Sequence, residues 1–255
     1  MQIQKANILG IGVSAINMPM ALEVIDGWIK RGERNFVTVT GVHGVMESQK
    51  DSDLLRIHNV AGLVTPDGMP LTWISRLLGF THVDRVYGPD LLLAVCDRSP
   101  AQGYRHFFYG GGDGVADLLK DRLQARFPGL DVVGTYTPPF RPLTEEEDED
   151  IVRYINALNP DIVWIGLSTP KQERWMAAHL GRIAAPVMIG VGAAFDFQAG
   201  LKKQAPPWIQ RSGLEWLYRL CSEPKRLWKR YLTNNPAFVW RVVGQLSGLK
   251  RYEPD

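Results

Sequence analysis

Near-continuous apolar segments recur along this chain, and a helical pattern follows most of them. Residues 161–167 and 186–191 are the clearest, with no alternation of polar and apolar positions. A strand that is apolar on both faces is buried on both faces, and short strands joined through helices run parallel. Residues 35–40, 63–65, 105–109 and 130–134 read as further strands, and residues 8–13 as a short apolar run that turns at Ser14. Helical spacing covers residues 21–30, 54–61, 71–78, 115–127, 144–158 and 171–180. In the first of these Ala21, Leu22, Ile25, Trp28 and Ile29 share one face. Thr144-Glu145-Glu146-Glu147 is a capping box. The expected fold is α/β: a Rossmann-like, mostly parallel sheet with helices on both faces.

The pattern changes near Gly200. Pro206-Pro207 breaks the chain, and from Gly213 onward it reads as helical, strandless and rich in Trp and Arg. Two parts are expected, an α/β domain over residues 1–205 and a basic helical appendage over residues 206–255. Charge divides in the same way. From Arg211 to Arg251 nine Lys and Arg stand against Glu215 and Glu223, a balance of +7. Residues 252–255 carry −2, which leaves −3 on residues 1–210 of a chain whose net charge is +2.

Composition excludes several classes. At 255 residues, 45% hydrophobic and 22% charged, the chain is of ordinary globular type. Cys96 and Cys221 cannot build a disulfide framework and have no metal-ligand spacing. The five histidines are scattered, and no metal or cofactor is expected. The longest uncharged run, residues 6–22, is interrupted by Asn7, Ser14, Asn17 and Pro19. It reads neither as a spanning helix nor as a signal peptide. There is no Walker A sequence and no G-x-S-x-G elbow.

Ligands of open parallel sheets sit beyond the carboxyl ends of the strands, so polar residues just after strands are the candidates. Thr40 ends one strand and is a candidate catalytic residue. Asp67 follows another, between Pro66 and Gly68 and ahead of a helix. It is either an N-cap or a carboxylate presented as a general base. Gly110 and Gly111 open a Gly-Gly-Gly-Asp-Gly turn that can bring amides close to a diphosphate, or simply make a tight connection. It is not the dinucleotide fingerprint, and no acidic ribose clamp follows, which argues against a nicotinamide dehydrogenase. Ser168-Thr169-Pro170-Lys171-Gln172-Glu173 exposes amides and Lys171 at a helix start, with Gln172 and Glu173 as hydrogen-bonding groups. Gly192 and Asp196 follow the last strand. Asp51/Asp53 and Asp148/Asp150 fall at helix starts, which disfavours a metal-bound sugar-nucleotide site.

In the tail, Leu227, Trp228, Tyr231 and Leu232 fall on one helix face, and Lys225, Arg226, Lys229 and Arg230 on another. A basic amphipathic helix edged by Trp suits an anionic membrane surface. Packing or self-association as a homo-oligomer is the alternative use of its apolar face. The acidic body argues against nucleic acid.

These segments resemble the WecG/TagA/CpsF family of bacterial glycosyltransferases. The blocks that carry the resemblance are Thr65-Pro66-Asp67-Gly68, Arg85-Val86-Tyr87-Gly88-Pro89-Asp90, Phe107-Phe108-Tyr109-Gly110-Gly111 and Gly166-Leu167-Ser168-Thr169-Pro170-Lys171-Gln172-Glu173. They continue through Gly190-Val191-Gly192-Ala193-Ala194-Phe195-Asp196-Phe197, Gly213-Leu214-Glu215-Trp216-Leu217-Tyr218-Arg219 and Glu223-Pro224-Lys225-Arg226.

The resemblance implies an inverting, metal-independent transfer of a sugar, typically N-acetylmannosamine, from a UDP-sugar donor to a polyprenyl-diphosphate-linked sugar. Such transfers serve teichoic acid, capsule and exopolysaccharide synthesis. It implies Asp67 as base, Arg85 near the sugar and diphosphate, and Gln172 and Asp196 in the donor pocket. It also implies Arg219 and Arg226 as diphosphate ligands on an appendage that docks on the membrane, and a cytoplasmic, peripheral location at the inner face of the cell membrane. Many members carry Thr-Pro-Asn where this chain reads Thr40-Gly41-Val42-His43, a difference that bears on the donor sugar. UDP-glucose or another hexose donor is one alternative. A non-catalytic, membrane-peripheral nucleotide-binding protein is the other.

Overall fold

The computed structural model describes residues 3–253. Residues 1, 2, 254 and 255, the outer ends of the two expected domains, lie outside the described residues. The chain opens with strands β1 (Lys5–Ile8) and β2 (Ile11–Ser14), helix α1 (Met18–Arg31) and strand β3 (Asn35–Thr40). Helices α2 (Val42–Ser48) and α3 (Ser52–Val60), strand β4 (Leu63–Pro66) and helices α4 (Met69–Leu77) and α5 (Gly88–Gln102) follow. Then come β5 (Arg105–Gly110), α6 (Val115–Arg126), β6 (Asp131–Tyr136), α7 (Glu145–Ala157) and β7 (Ile162–Gly166). The rest is α8 (Lys171–His179), β8 (Val187–Gly190), α9 (Ala194–Gln198), α10 (Pro207–Arg211), α11 (Glu215–Ser222) and α12 (Pro224–Leu246).

Six strands form one parallel sheet in the order β4-β3-β8-β7-β5-β6, flanked by helices. This is the Rossmann-like α/β fold expected from the run of apolar strands. By compactness the described residues divide into two units. One is drawn from residues 3–18, 39–87 and 204–253, the other from Pro19–Thr38 and Gly88–Lys203.

In the first unit the run read as a single segment folds back on itself. Leu9 and Gly10 both take positive φ, 53° and 86°, and β1 pairs antiparallel with β2 across this two-residue turn. Such a turn matches the right-handed twist of its strands, yet it strains a leucine. Surrounding groups hold Leu9 there. Its N–H donates to Gln245 Oε1 at 2.9 Å and its carbonyl accepts from Gln49 Nε2 at 2.7 Å. Gln245 Nε2 also donates to the Asn7 carbonyl at 2.8 Å, and Arg241 donates to Gln49. One helix, α12, runs unbroken through Pro236. It buries Leu227, Asn234, Phe238 and Val242 and packs against α2.

In the second unit the register sets Tyr109 beside Ile165 and Ile165 beside Gly190. The carboxyl ends of β5, β7 and β8 are therefore level with one another. The Trp164 indole donates to His106 Nδ1 at 2.9 Å, and His106 Nε2 meets Ser99 Oγ at 2.8 Å, all buried. The imidazole is thereby a neutral tautomer, and burial pulls its pKa down to about 3. The Thr144 capping box forms in both directions. Glu147 N–H donates to Thr144 Oγ1 at 3.2 Å, and Thr144 N–H donates to Glu147 Oε2 at 2.9 Å.

Candidate active site

In the first unit the short apolar strand β4 ends at Pro66 and delivers Asp67 to the surface. Asp67 is not the cap of the helix that follows. The N-cap of α4 is Gly68, which makes no side-chain cap hydrogen bond. The main chain of Asp67 is held on both sides instead. Its N–H donates to the Thr40 carbonyl at 3.0 Å, and its carbonyl accepts from Arg85 Nε at 2.7 Å. A Cβ added at Gly41 would lie 3.6 Å from Asp67 Oδ2, so the carboxylate flanks bare backbone.

Arg85 has every arm engaged. Besides Nε, one terminal nitrogen donates to Gln210 Oε1 at 3.0 Å and the other pairs with the Glu215 carboxylate. Its guanidinium carbon sits 3.8 Å from the centre of the Tyr87 ring. Charge in a poorly hydrated place is stable only when it is well paired, and here each of the three guanidinium nitrogens has an acceptor. Thr40 is 2% exposed, and its hydroxyl meets His58 Nδ1 at 3.3 Å. Burial holds that imidazole neutral, with its pKa lowered to about 4. Thr40 thus supports Asp67 through its carbonyl while its side chain points into the core.

Arg219 stands on α11, one turn after Glu215. Burial works against its charge, but Tyr231, Tyr87, Glu215 and Asp67 outweigh that, and its pKa is raised. Burial first, then Glu215 and Asp67, push the Tyr87 phenol far up, so it stays protonated. Arg226 pairs with Glu223 at 2.7 Å at the start of α12. The sequence reading left Tyr87, Gln210 and Glu215 without a role, although the four-residue spacing of Glu215 and Arg219 on one helix was visible.

In the second unit Gly110 and Gly111 take φ of 115° and 82°. A Cβ at Gly110 would lie 2.9 Å from the carbonyl group of Gly166, and the Gly111 N–H donates to that same carbonyl at 3.1 Å. Only glycine permits strand ends this close. Gln172 and Glu173 fall inside the helix start rather than on its surface, at 3% and 0% exposure. Gln172 Nε2 donates to Glu173 Oε1 at 3.1 Å, and Thr169 Oγ1 donates to it at 2.8 Å. Burial raises the Glu173 pKa. Gln172 Oε1 is buried without a hydrogen-bond partner among the described residues, and a Cβ at Gly192 would come 3.4 Å from it. Lys171 is exposed, its ammonium 5.1 Å from the centre of the Phe140 ring. Asp196 pairs with Lys202 at 2.8 Å. Among the described residues no three His, Cys, Asp or Glu are grouped to hold a metal ion.

A model of the family described as "Glycosyl transferase WecG/TagA/CpsF family" matches residues 6–252. The chain belongs to this family of glycosyl transferases. Among WecG/TagA/CpsF relatives, an N-acetylglucosaminyldiphosphoundecaprenol N-acetyl-beta-D-mannosaminyltransferase of Bacillus spizizenii is 31% identical over 183 residues. That alignment spans 72% of this chain and 68% of the relative. A protein of the same name from Staphylococcus aureus strain MW2 is 25% identical over 249 residues, 97% of this chain and 95% of the relative. Asp67, Arg85 and Arg219 all lie within the span that the family matches.

Proposed function

We propose that this protein is an inverting, metal-independent transferase that moves N-acetylmannosamine from a UDP donor to a polyprenyl-diphosphate-linked sugar. The observation that carries this reading is Asp67, a half-buried carboxylate at a strand end, clamped through its own main chain and standing one residue before the N-cap of α4. The names of the relatives support both the transferred sugar and a lipid-diphosphate acceptor.

As the acceptor hydroxyl attacks the anomeric carbon, its proton passes to Asp67. The bond from that carbon to the UDP oxygen breaks on the opposite face. A base placed in this way contributes about 10²–10⁴-fold. Negative charge grows on the departing diphosphate, and Arg219 and Arg226 stabilise it in place of a metal ion. Arg85 positions Asp67 and fixes Glu215. The Gly110 and Gly111 turn, Lys171, Gln172, Glu173, Gly192 and Asp196 are assigned to the nucleotide donor.

Among the described residues no helix is long and apolar enough to cross a membrane. Residues 206–255 are read as the segment that meets the inner face of the cell membrane, where the lipid-linked acceptor resides. On α12 Trp228 and Leu232 are 54% and 59% exposed, and Val239, Trp240 and Val243 are exposed too. Lys225 and Lys229 border them, each worth about 1 kcal/mol near an anionic surface.

The Thr40-Gly41-Val42-His43 departure supports a second reading with the same chemistry, in which UDP-glucose or another hexose is the donor. The test is a panel of UDP-sugars offered to the purified chain with a short-chain prenyl-diphosphate N-acetylglucosamine, with products weighed by mass. The main reading expects product from UDP-N-acetylmannosamine. Product only from a hexose donor would replace it with the second reading. No product and no donor hydrolysis would leave a binding protein.

A further inference from the structure

Glu173 stands in the second unit among the groups assigned to the donor, yet at 0% exposure it cannot touch a ligand directly. It lies in the first turn of α8. Its Oε1 accepts from Thr169 Oγ1 at 2.8 Å and from Gln172 Nε2 at 3.1 Å. Its own main-chain N–H adds to these donors, and burial outweighs them all in raising its pKa. Its Oε2 has no hydrogen-bond partner among the described residues. A proton taken up by the carboxyl goes to that open oxygen, so Oε1 offers Gln172 an acceptor in either state.

A primary amide ends in an oxygen that accepts and a nitrogen that donates, and a fixed neighbour decides which end faces it. Because Glu173 Oε1 accepts, Gln172 turns Nε2 toward it and Oε1 away. The glycines at the end of β8 leave room for this amide. A Cβ at Gly190 would lie 3.1 Å from Gln172 Nε2, and one at Gly192 would lie 3.4 Å from Gln172 Oε1. Gln172 therefore crosses the carboxyl end of β8, where open parallel sheets take their ligands. Its Oε1 is buried with no hydrogen-bond partner among the described residues. A buried acceptor left unpaired is costly, and a ligand that donates to it removes the cost. With the amide reversed, the same place would offer N–H groups, which suit phosphate and carbonyl oxygens instead.

We infer that Glu173 is a positioning residue, which holds the Gln172 amide so that Oε1 meets an O–H or N–H group of the sugar nucleotide. For its ligand the inference rests on the transferase reading. Glu173 itself stays out of contact with the donor and acts through Gln172.

The experiment titrates the full chain by calorimetry with UDP-N-acetylmannosamine and, separately, with UDP. Glu173→Met, Glu173→Gln, Gln172→Ala and the Glu173→Met/Gln172→Ala pair are measured alongside, with thermal melting of each. Glu173→Met is expected to weaken the sugar nucleotide about tenfold. Glu173→Gln keeps an oxygen for Gln172 and should recover most of that loss. With Gln172→Ala already present, Glu173→Met should cost the ligand nothing more. A loss confined to the sugar nucleotide puts the donating group on the sugar, and an equal loss for UDP puts it on the nucleoside. Losses that add in the pair, wild-type affinity in Glu173→Met, or weakening in Glu173→Gln that tracks a fall in melting temperature would overturn the inference.

A second measurement needs no ligand. Selective isotope labelling follows the Gln172 side-chain amide protons by magnetic resonance. They should exchange slowly in the wild type and faster in Glu173→Met. Fast exchange in the wild type would overturn the inference. Slow exchange in a wild type that binds neither probe would keep the orientation set by Glu173 and reject the transferase reading.

Discussion

Arg85 Nε donates to the main-chain carbonyl of Asp67 at 2.7 Å, and the same guanidinium pairs with Glu215 across 130 positions of sequence. The proposed base and the C-terminal helices of its unit therefore share one fixed point. A point substitution at Arg85 disturbs both together.

Arg85→Gln is predicted to destabilise the protein by about 1–3 kcal/mol, because it leaves the half-buried Glu215 carboxylate without its partner. Arg85→Lys keeps the charge but cannot reach Asp67, Gln210 and Glu215 at once, and recovers little. Urea unfolding of the two variants measures this. Wild-type stability in Arg85→Gln would mean that the cluster holds nothing together.

Gly110→Ala is predicted to lower stability by about 1–3 kcal/mol, because φ is 115° and the added Cβ meets the Gly166 carbonyl at 2.9 Å. Gly112 has φ outside the left-handed region, and a Cβ there meets only Val115, at 3.6 Å. Gly112→Ala is therefore the mild control. Thermal melts that rank the two the other way would contradict the geometry.

Acid should destabilise the fold below about pH 6.5. His58 and His106 are buried neutral, with folded pKa values near 4 and 3 against 6.5 unfolded. Their stabilisation is complete above 6.5 and is lost as pH falls toward the folded values, at about 1.4 kcal/mol per pH unit each. His43 acts in the same direction. Glu173, whose pKa is raised, acts oppositely above 4.5. Three histidines against one carboxyl leave a net loss on acidification, read as a falling urea midpoint between pH 6.5 and 5. A midpoint that rises over this range would reject the assignment, and His106→Asn should flatten the slope.

Strands apolar on both faces made the sheet legible, and the strand-end rule led to Thr40, Asp67, Gly110 and Gln172. Several helices escaped that reading, α5 and α2 among them. In α5 Pro89 and Pro100 both lie within the helix, where proline is poorly tolerated after the first turn, although Leu91, Leu92, Val95, Cys96 and Ser99 are buried at helical spacing. In α2 only seven residues follow Gly41, too few to show a period. The Leu9-Gly10 turn was hidden because a leucine rarely takes positive φ. The sequence also set Trp228 and Leu227 on one face, but their exposures are 54% and 0%. Two apolar stripes share α12, one buried and one open, and a one-dimensional pattern does not separate them. The engagement of Arg85 by Gln210 and Glu215 depends on tertiary contact, and no local spacing encodes it.

The central claim is that Asp67 takes the proton of the acceptor hydroxyl. Its most direct measurement is transfer by Asp67→Asn, an isosteric change, with donor affinity and melting temperature taken on the same preparation. The account predicts turnover lower by about 10²–10⁴-fold, with donor binding and melting temperature near those of the wild type. Turnover within a few-fold of wild type in that folded, donor-binding variant would contradict it.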